Sequence, residues 1–168
     1  TVNLFSGGKH AGQQLAIQDV LVVPVSPGTV DASLAMVFAV YEAAGKLVQH
    51  KYGQRLLRAD EGGLSPPARS TPELLDDAVR AIHDAGLQPG KDVALAIDVA
   101  SSHFYRDGIY SIDGQERTSA EMVDLLESWA GHYPILSFED GLAEDDWGHW
   151  PHLRARFYIP SASAIPSG

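Results

Sequence analysis

The pattern of apolar and polar positions along this chain changes period several times. Val20 to Val25, "VLVVPV", is short, β-branched and nearly continuous, as strands are. "VNLF", from Val2, is a shorter candidate before it, with Gly7-Gly8 marking a tight loop between the two. From Asp31 to about His50 the period becomes helical: Leu34, Val37, Phe38, Tyr41, Leu47 and Val48 recur on one face, with Asp31 placed as N-cap and Gly53 as stop. "STPELLDDAVRAIHDAGL" predicts a second helix. Ser70 or Thr71 caps it, Pro72 falls in its first turn, Glu73 follows Ser70 by three, and Gly86 ends it.

"DVALAIDVA" is then apolar without alternation, which predicts a strand buried on both faces, and "ILSFEDG" reads as the next buried strand. "FYRDGIYSIDGQERT", lying between them, predicts a small hairpin-like excursion turning at Asp107-Gly108 and Asp113-Gly114. "TSAEMVDLLESWAGHY" is a helix opened by Thr118 and Glu121 in capping-box relation, and "DDWGHWPHLRARF" starts another. Helix, strand, helix, strand, helix with short connections argues an α/β fold with parallel strands. The end, "YIPSASAIPSG", has neither period and reads as disordered or foreign to the fold.

Composition narrows the function without choosing it. At 168 residues and 45% hydrophobic the chain suits one domain with a real core. A formal net charge of -10 argues against a nucleic-acid partner or an anionic membrane surface, because phosphate demands a basic face. Without cysteine there is neither a disulfide framework nor a thiolate metal site, which agrees with a cytoplasmic setting. No apolar run reaches the roughly eighteen residues of a membrane span, and no signal peptide opens the chain.

The candidate chemistry is carboxylate chemistry. Both apolar strands end in an acid, Asp98 after "ALAI" and Glu139 after "LSF". Sites on open parallel sheets and barrels lie at such carboxyl ends, and two acids on consecutive strands can share one hard divalent cation such as Mg²⁺. The alternative is that they cap the following helices or pair with Lys or Arg. Glu139, Asp140, Glu144, Asp145 and Asp146 crowd one stretch, which a solvated loop would also explain. In "RADEGGLSPP", Asp60 and Glu61 precede Gly62 and Gly63, which permit positive φ and close backbone approach. His10 lies in the glycine-rich "SGGKHAGQQ".

Taken together and in order, "GGKHAG…LAIQD", "DEGGLSP", "ALAIDVASSHFY" and "LSFEDGLAEDDW" closely resemble enolase, the phosphopyruvate hydratase family, over about Val2 to Leu153. The resemblance is to the first half of that family's C-terminal catalytic domain. It implies a partial (β/α)8 barrel of enolase type, opening with an antiparallel strand pair and two helices before parallel βα units. It implies residues 1–153 as barrel and 154–168 as a tail outside the family. Asp98 and Glu139 match two of three carboxylate ligands of Mg²⁺, Glu61 matches the acid that helps the substrate hydroxyl depart, and His10 matches a loop histidine near the substrate. Asp19 falls where the family has a glutamate on the substrate side. His103 and Ala59 also depart from the family pattern, at a glutamate and a glycine. The implied activity is reversible dehydration of 2-phosphoglycerate to phosphoenolpyruvate in glycolysis, by a cytoplasmic homodimer. The third carboxylate and the lysine base of the family have no match here, so the chain is expected to be incomplete and inactive alone. A non-catalytic enolase-like binding module, or another Mg²⁺-dependent barrel lyase or hydrolase, stands as the alternative.

Overall fold

The computed structural model describes residues 1–8, 15–53, 57–59 and 62–157. The elements are β1 (Val2–Ser6), β2 (Asp19–Pro24), α1 (Val30–Tyr52), α2 (Thr71–Asp84), β3 (Val93–Asp98), β4 (Tyr105–Arg106), β5 (Ile109–Ile112), β6 (Gln115–Arg117), α3 (Ser119–His132), β7 (Ile135–Glu139) and α4 (Trp150–Arg156). One mixed sheet runs β1-β2-β3-β7. β1 and β2 are antiparallel, β2 and β3 are antiparallel, and β3 and β7 are parallel.

The parallel sheet expected from the alternation of helices and strands is therefore correct only for β3 and β7. The reason is parity. Two successive helices, α1 and α2, separate β2 from β3, so the chain returns to the end of the sheet that it left and β3 runs back along β2. One helix, α3, separates the small β4–β6 meander from β7, so β7 runs with β3. An antiparallel pair followed by two helices and then βα units is the order that the family resemblance implied.

Period-two alternation divides the sheet into two faces. Val20, Val22, Val93, Leu95 and Ile97 enter the main core, together with Leu74, Leu75, Ala78 and Ile82 of α2 and Met122, Leu126 and Trp129 of α3. Burial of each large aliphatic side chain is worth roughly 1.5–3 kcal/mol. The opposite face carries smaller residues along β3, Ala94 and Ala96, which are buried but stand outside that core. The acids Asp19, Asp98 and Glu139 lie on this second face by register.

Helix ends follow the capping logic with one correction. Thr29, not Asp31, caps α1, its side chain accepting from the Ala32 N–H at 3.2 Å, and Asp31 sits in the first turn, where its charge suits the helix dipole. Gly53 ends α1 in the left-handed conformation, φ 62°. Ser70 caps α2. At α3 the capping box is complete: Thr118 accepts from the Glu121 N–H at 3.4 Å and Glu121 accepts from the Thr118 N–H at 2.8 Å. Thr118→Ala is expected to lower the melting temperature by about 2–4 °C. Thermal denaturation checks this, and an unchanged melting temperature would show that α3 is held by packing alone.

The face assigned to α1 is also corrected. Val40, Ala44, Gly45 and Val48 are its buried positions, and the expected Val37 and Tyr41 pack partly against the core, while Leu34 and Phe38 are exposed. Helical spacing identified the element, but several apolar residues competed for the inner face. Lys51 at the end of α1 bonds Asp77 at 2.8 Å and Glu73 at 3.0 Å on α2. Burial pulls the Lys51 ammonium down, but the bonds to Asp77, Tyr52 and Glu73 outweigh it and hold its pKa above the ordinary value.

Both aspartyl-glycine turns are present. Asp107 and Gly108 have φ 51° and 87°, and Asp113 and Gly114 have φ 49° and 74°, so each pair takes the doubly left-handed turn that suits tight hairpins. They fold residues 105–117 into a second, three-stranded sheet, β4-β5-β6.

One expectation near the end of the chain differs from what is found. β7 is not buried on both faces. It is the last strand of the described sheet, and Leu136 is 44% exposed. α4, Trp150–Arg156, falls within the helix expected in "DDWGHWPHLRARF"; Leu153 is buried and Phe157 packs on Phe138 with ring centroids 5.1 Å apart. Residues 158–168 lie outside the described residues. No helix among the described residues is long and apolar enough to cross a membrane.

Candidate metal centre at the strand ends

The site begins with register. Asp98 is the last residue of β3, and Glu139 is the last residue of β7 and its direct partner. Asp19, the first residue of β2, is the partner of Asp98 on the other side. Three carboxylates therefore stand in a row across three neighbouring strands, at steps of roughly 4.8 Å. Asp19 belongs to the row because β2 runs antiparallel, which brings its beginning level with the ends of β3 and β7.

The row is held differently at its two sides. Asp19 is buried, and one of its oxygens accepts from Asn3 Nδ2 and from the Ser6 hydroxyl, each at 2.6 Å. It is thus tied to β1. Asp98 is half-buried and accepts from the Ala100 N–H at 3.1 Å and from Gln18 Nε2 at 3.2 Å. Glu139 is exposed. Among the described residues no Lys or Arg forms an ion pair with any of the three, and none of the three caps a helix.

Crowding acids without cations has an electrostatic cost. The Asp98 carboxyl is pushed up to about 6, first by burial and then by the negative charges of Glu139, Asp19 and Asp140, against the Ala100 N–H. A divalent cation would remove that repulsion, and hard carboxylate oxygens suit Mg²⁺. The donor set fits such an ion in part. Among the described residues no group of three His, Asp or Glu is placed to hold a metal by itself.

Both strand ends turn sharply after their acid. Ala100 and Asp140 are non-glycine residues in the left-handed region, at φ 48° and 47°. For alanine this conformation costs roughly 1–2 kcal/mol, so the surrounding structure must impose it. The two turns are joined: the Val99 N–H donates to the Glu139 carbonyl at 3.0 Å and the Ser101 N–H to the Asp140 carbonyl at 3.1 Å. Farther out, the Glu144 N–H donates to the Ser102 hydroxyl at 2.9 Å.

Gly62 and Gly63, the described half of "DEGG", come up to the same end of the sheet. Gly62 has φ 85°, and a Cβ on Gly63 would lie 2.5 Å from Ser6 Oγ and 2.7 Å from Asn3 Oδ1, the residues that hold Asp19. The positive φ and the close approach expected of the two glycines are both present. Glu61 and His10 lie outside the described residues.

Neither Gln18 nor Tyr110 is marked by the sequence. Gln18 precedes Asp19, and no periodic signal distinguishes it. Tyr110 has no motif around it, and its partners appear only in the folded chain. Of the acids crowded after Glu139, for which a solvated loop is the alternative, Asp146 is buried, whereas Asp140, Glu144 and Asp145 are exposed.

A family model described as "Enolase, C-terminal TIM barrel domain" matches residues 1–158.

Proposed function

Since this chain belongs to the enolase C-terminal TIM barrel family, we propose that it supplies the metal-binding part of an enolase site, serving the Mg²⁺-dependent, reversible dehydration of 2-phosphoglycerate to phosphoenolpyruvate. The observation that carries the reading is the in-register pair Asp98 and Glu139 at the carboxyl ends of neighbouring parallel strands, with no cation of the described chain beside them.

The chemistry explains the need for acids. Taking a proton from the carbon beside a carboxylate places a second negative charge on that group. Asp98 and Glu139 would hold the Mg²⁺, which when bound supplies electrostatic stabilisation of that charge. Gln18 and the Ala100 N–H orient Asp98 by hydrogen bonds. Asp19 would stand toward the substrate, fixed by Asn3 and Ser6. Glu61 is assigned to assisting departure of the hydroxyl, and His10 to the loop beside the substrate. Such an enzyme would work in the cytoplasm, as a homodimer of the parent protein.

Two carboxylates and water hold Mg²⁺ weakly. Calorimetric titration of this chain is expected to show feeble binding, abolished by Asp98→Ala and by Glu139→Ala. Tight binding that survives Asp98→Ala would overturn the metal assignment.

The reaction itself is tested in a chimera, with residues 1–158 replacing the matching segment of an active enolase. Absorbance of phosphoenolpyruvate is expected to appear with Mg²⁺ and to be lost in Glu61→Gln. A folded chimera that binds Mg²⁺ without turnover would favour the non-catalytic binding module.

A further inference from the structure

A buried polar cluster stands behind the acid row, and the proposed chemistry does not use it. Tyr110 of β5 is fully buried, with its ring against Tyr105 at 4.5 Å and Phe104 at 6.2 Å. Its hydroxyl donates to Asp146 Oδ2 at 2.7 Å and accepts from the Ala143 N–H at 3.0 Å. The other Asp146 oxygen lies 2.7 Å from His149 Nδ1, which requires the proton on that nitrogen. Trp150 Nε1 donates to the Ala143 carbonyl at 3.0 Å, so side chains bind both backbone groups of Ala143.

This arrangement is costly unless it is satisfied. A buried aspartate and a buried phenol each require partners, and here each has them. Burial alone would raise the Asp146 carboxyl, but bonds from Ser119, Tyr110 and His149 outweigh it and hold its pKa below the usual range. Burial, with Asp146, raises the Tyr110 phenol despite the Ala143 N–H. Asp146 is therefore an acceptor and Tyr110 a donor throughout the neutral range.

The cluster acts on the acids through Ala143. Residues 140–143 leave the end of β7 directly after Glu139, and Leu142 and Ala143 are buried. Fixing Ala143 fixes the far end of that turn. The near end is bonded to the turn after Asp98, at Val99–Glu139 and Ser101–Asp140. We propose that Asp146, acting through the Tyr110 hydroxyl, is a positioning residue: the pair clamps Ala143 and so sets the turn that holds Glu139 and Asp140 against Asp98. The inference rests on the metal-centre reading for its purpose, but not for its geometry.

The test keeps the two apart. Amide hydrogen exchange is measured in the unmodified chain, Tyr110→Phe and Asp146→Asn, and Mn²⁺ binding is followed by electron paramagnetic resonance. Tyr110→Phe keeps the ring and removes only the hydroxyl. Val99 and Ser101, whose amides bond the Glu139 and Asp140 carbonyls rather than Tyr110 or Asp146, are expected to exchange up to roughly tenfold faster, the equilibrium equivalent of one net buried hydrogen bond. Amides between β1 and β2 should not change, whereas general destabilisation would speed both sets alike. Mn²⁺ affinity is expected to fall about three- to tenfold, by the same bond energy. Unchanged exchange at Val99 and Ser101 overturns the proposal, as does an unchanged Mn²⁺ affinity in a chain that binds the ion. If the unmodified chain binds no Mn²⁺, the metal reading fails, and the exchange data decide the positioning role alone.

Discussion

Asp98→Asn is expected to raise the melting temperature at pH 7 while removing metal binding. Burial and the neighbouring acids push the Asp98 carboxyl up to about 6 in the folded chain, from an ordinary value of 3.8. Between those values the folded state binds more protons than the unfolded state, so stability falls as pH rises from about 4 to about 6 and stays reduced above that. The charged carboxylate is therefore a destabilising group at neutral pH, and the amide removes the penalty. A displacement from 3.8 to about 6 corresponds to about 3 kcal/mol. Asp98 is only half-buried, so solvent screening reduces this to on the order of 1–2 kcal/mol, a rise of roughly 3–6 °C for a chain of this size. The amide oxygen can still accept from the Ala100 N–H, which preserves the turn. At pH 4 the gain should disappear. Scanning calorimetry at both pH values checks the prediction, and millimolar Mg²⁺ should stabilise the parent chain but not the variant. Equal destabilisation at pH 4 and pH 7 would mean that the crowding of acids is already compensated.

That trade of stability for a site connects the strand pattern to the chemistry. "ALAID" reads as a buried strand until its last residue, and the structure agrees: Val93 to Ile97 are buried and Asp98 is not fully so. The place where apolar continuity breaks is the place where acids meet. The Asp98–Glu139 register was legible because two similar strands end in the same way. The nearness of Asp19 to Asp98 was not legible from spacing, since it depends on β2 running antiparallel and hence on two helices rather than one before β3.

Local chemistry was the most legible part of the fold. The capping box at Thr118, the stop at Gly53 and the two aspartyl-glycine turns are each settled by a few neighbouring atoms, and each is found. Features set by long-range packing were misread. α1 offered several apolar residues, and only contact with β2 and α2 decides that Val40, Ala44 and Val48 turn inward. β7 has a core composition, but its burial depends on what lies beyond the edge of the sheet. The Tyr110–Asp146 bond joins residues 36 apart in the chain, and nothing local in either distinguishes it.

Purified as 168 residues, the chain is expected to turn over 2-phosphoglycerate no faster than buffer containing Mg²⁺. The reaction needs a base beside the substrate carbon, and enolase-superfamily sites use lysine or histidine. The described lysines are not placed for it. Lys51 is bound to Asp77 and Glu73. Lys46 lies within α1 and lines a groove shared with Asp76, Arg80 and Asp84 of α2. Lys91 precedes β3, at the opposite end of that strand from Asp98. General-base catalysis is typically worth roughly 10²–10⁴-fold, and a two-carboxylate site retains only part of the electrostatic stabilisation. Continuous absorbance of phosphoenolpyruvate over hours, with and without Mg²⁺, decides the matter. Robust Mg²⁺-dependent turnover that is lost in Asp98→Ala would identify the acid row correctly and mean that a group other than the described lysines serves as the base. Turnover unaffected by Asp98→Ala would remove the acid row from the reaction altogether.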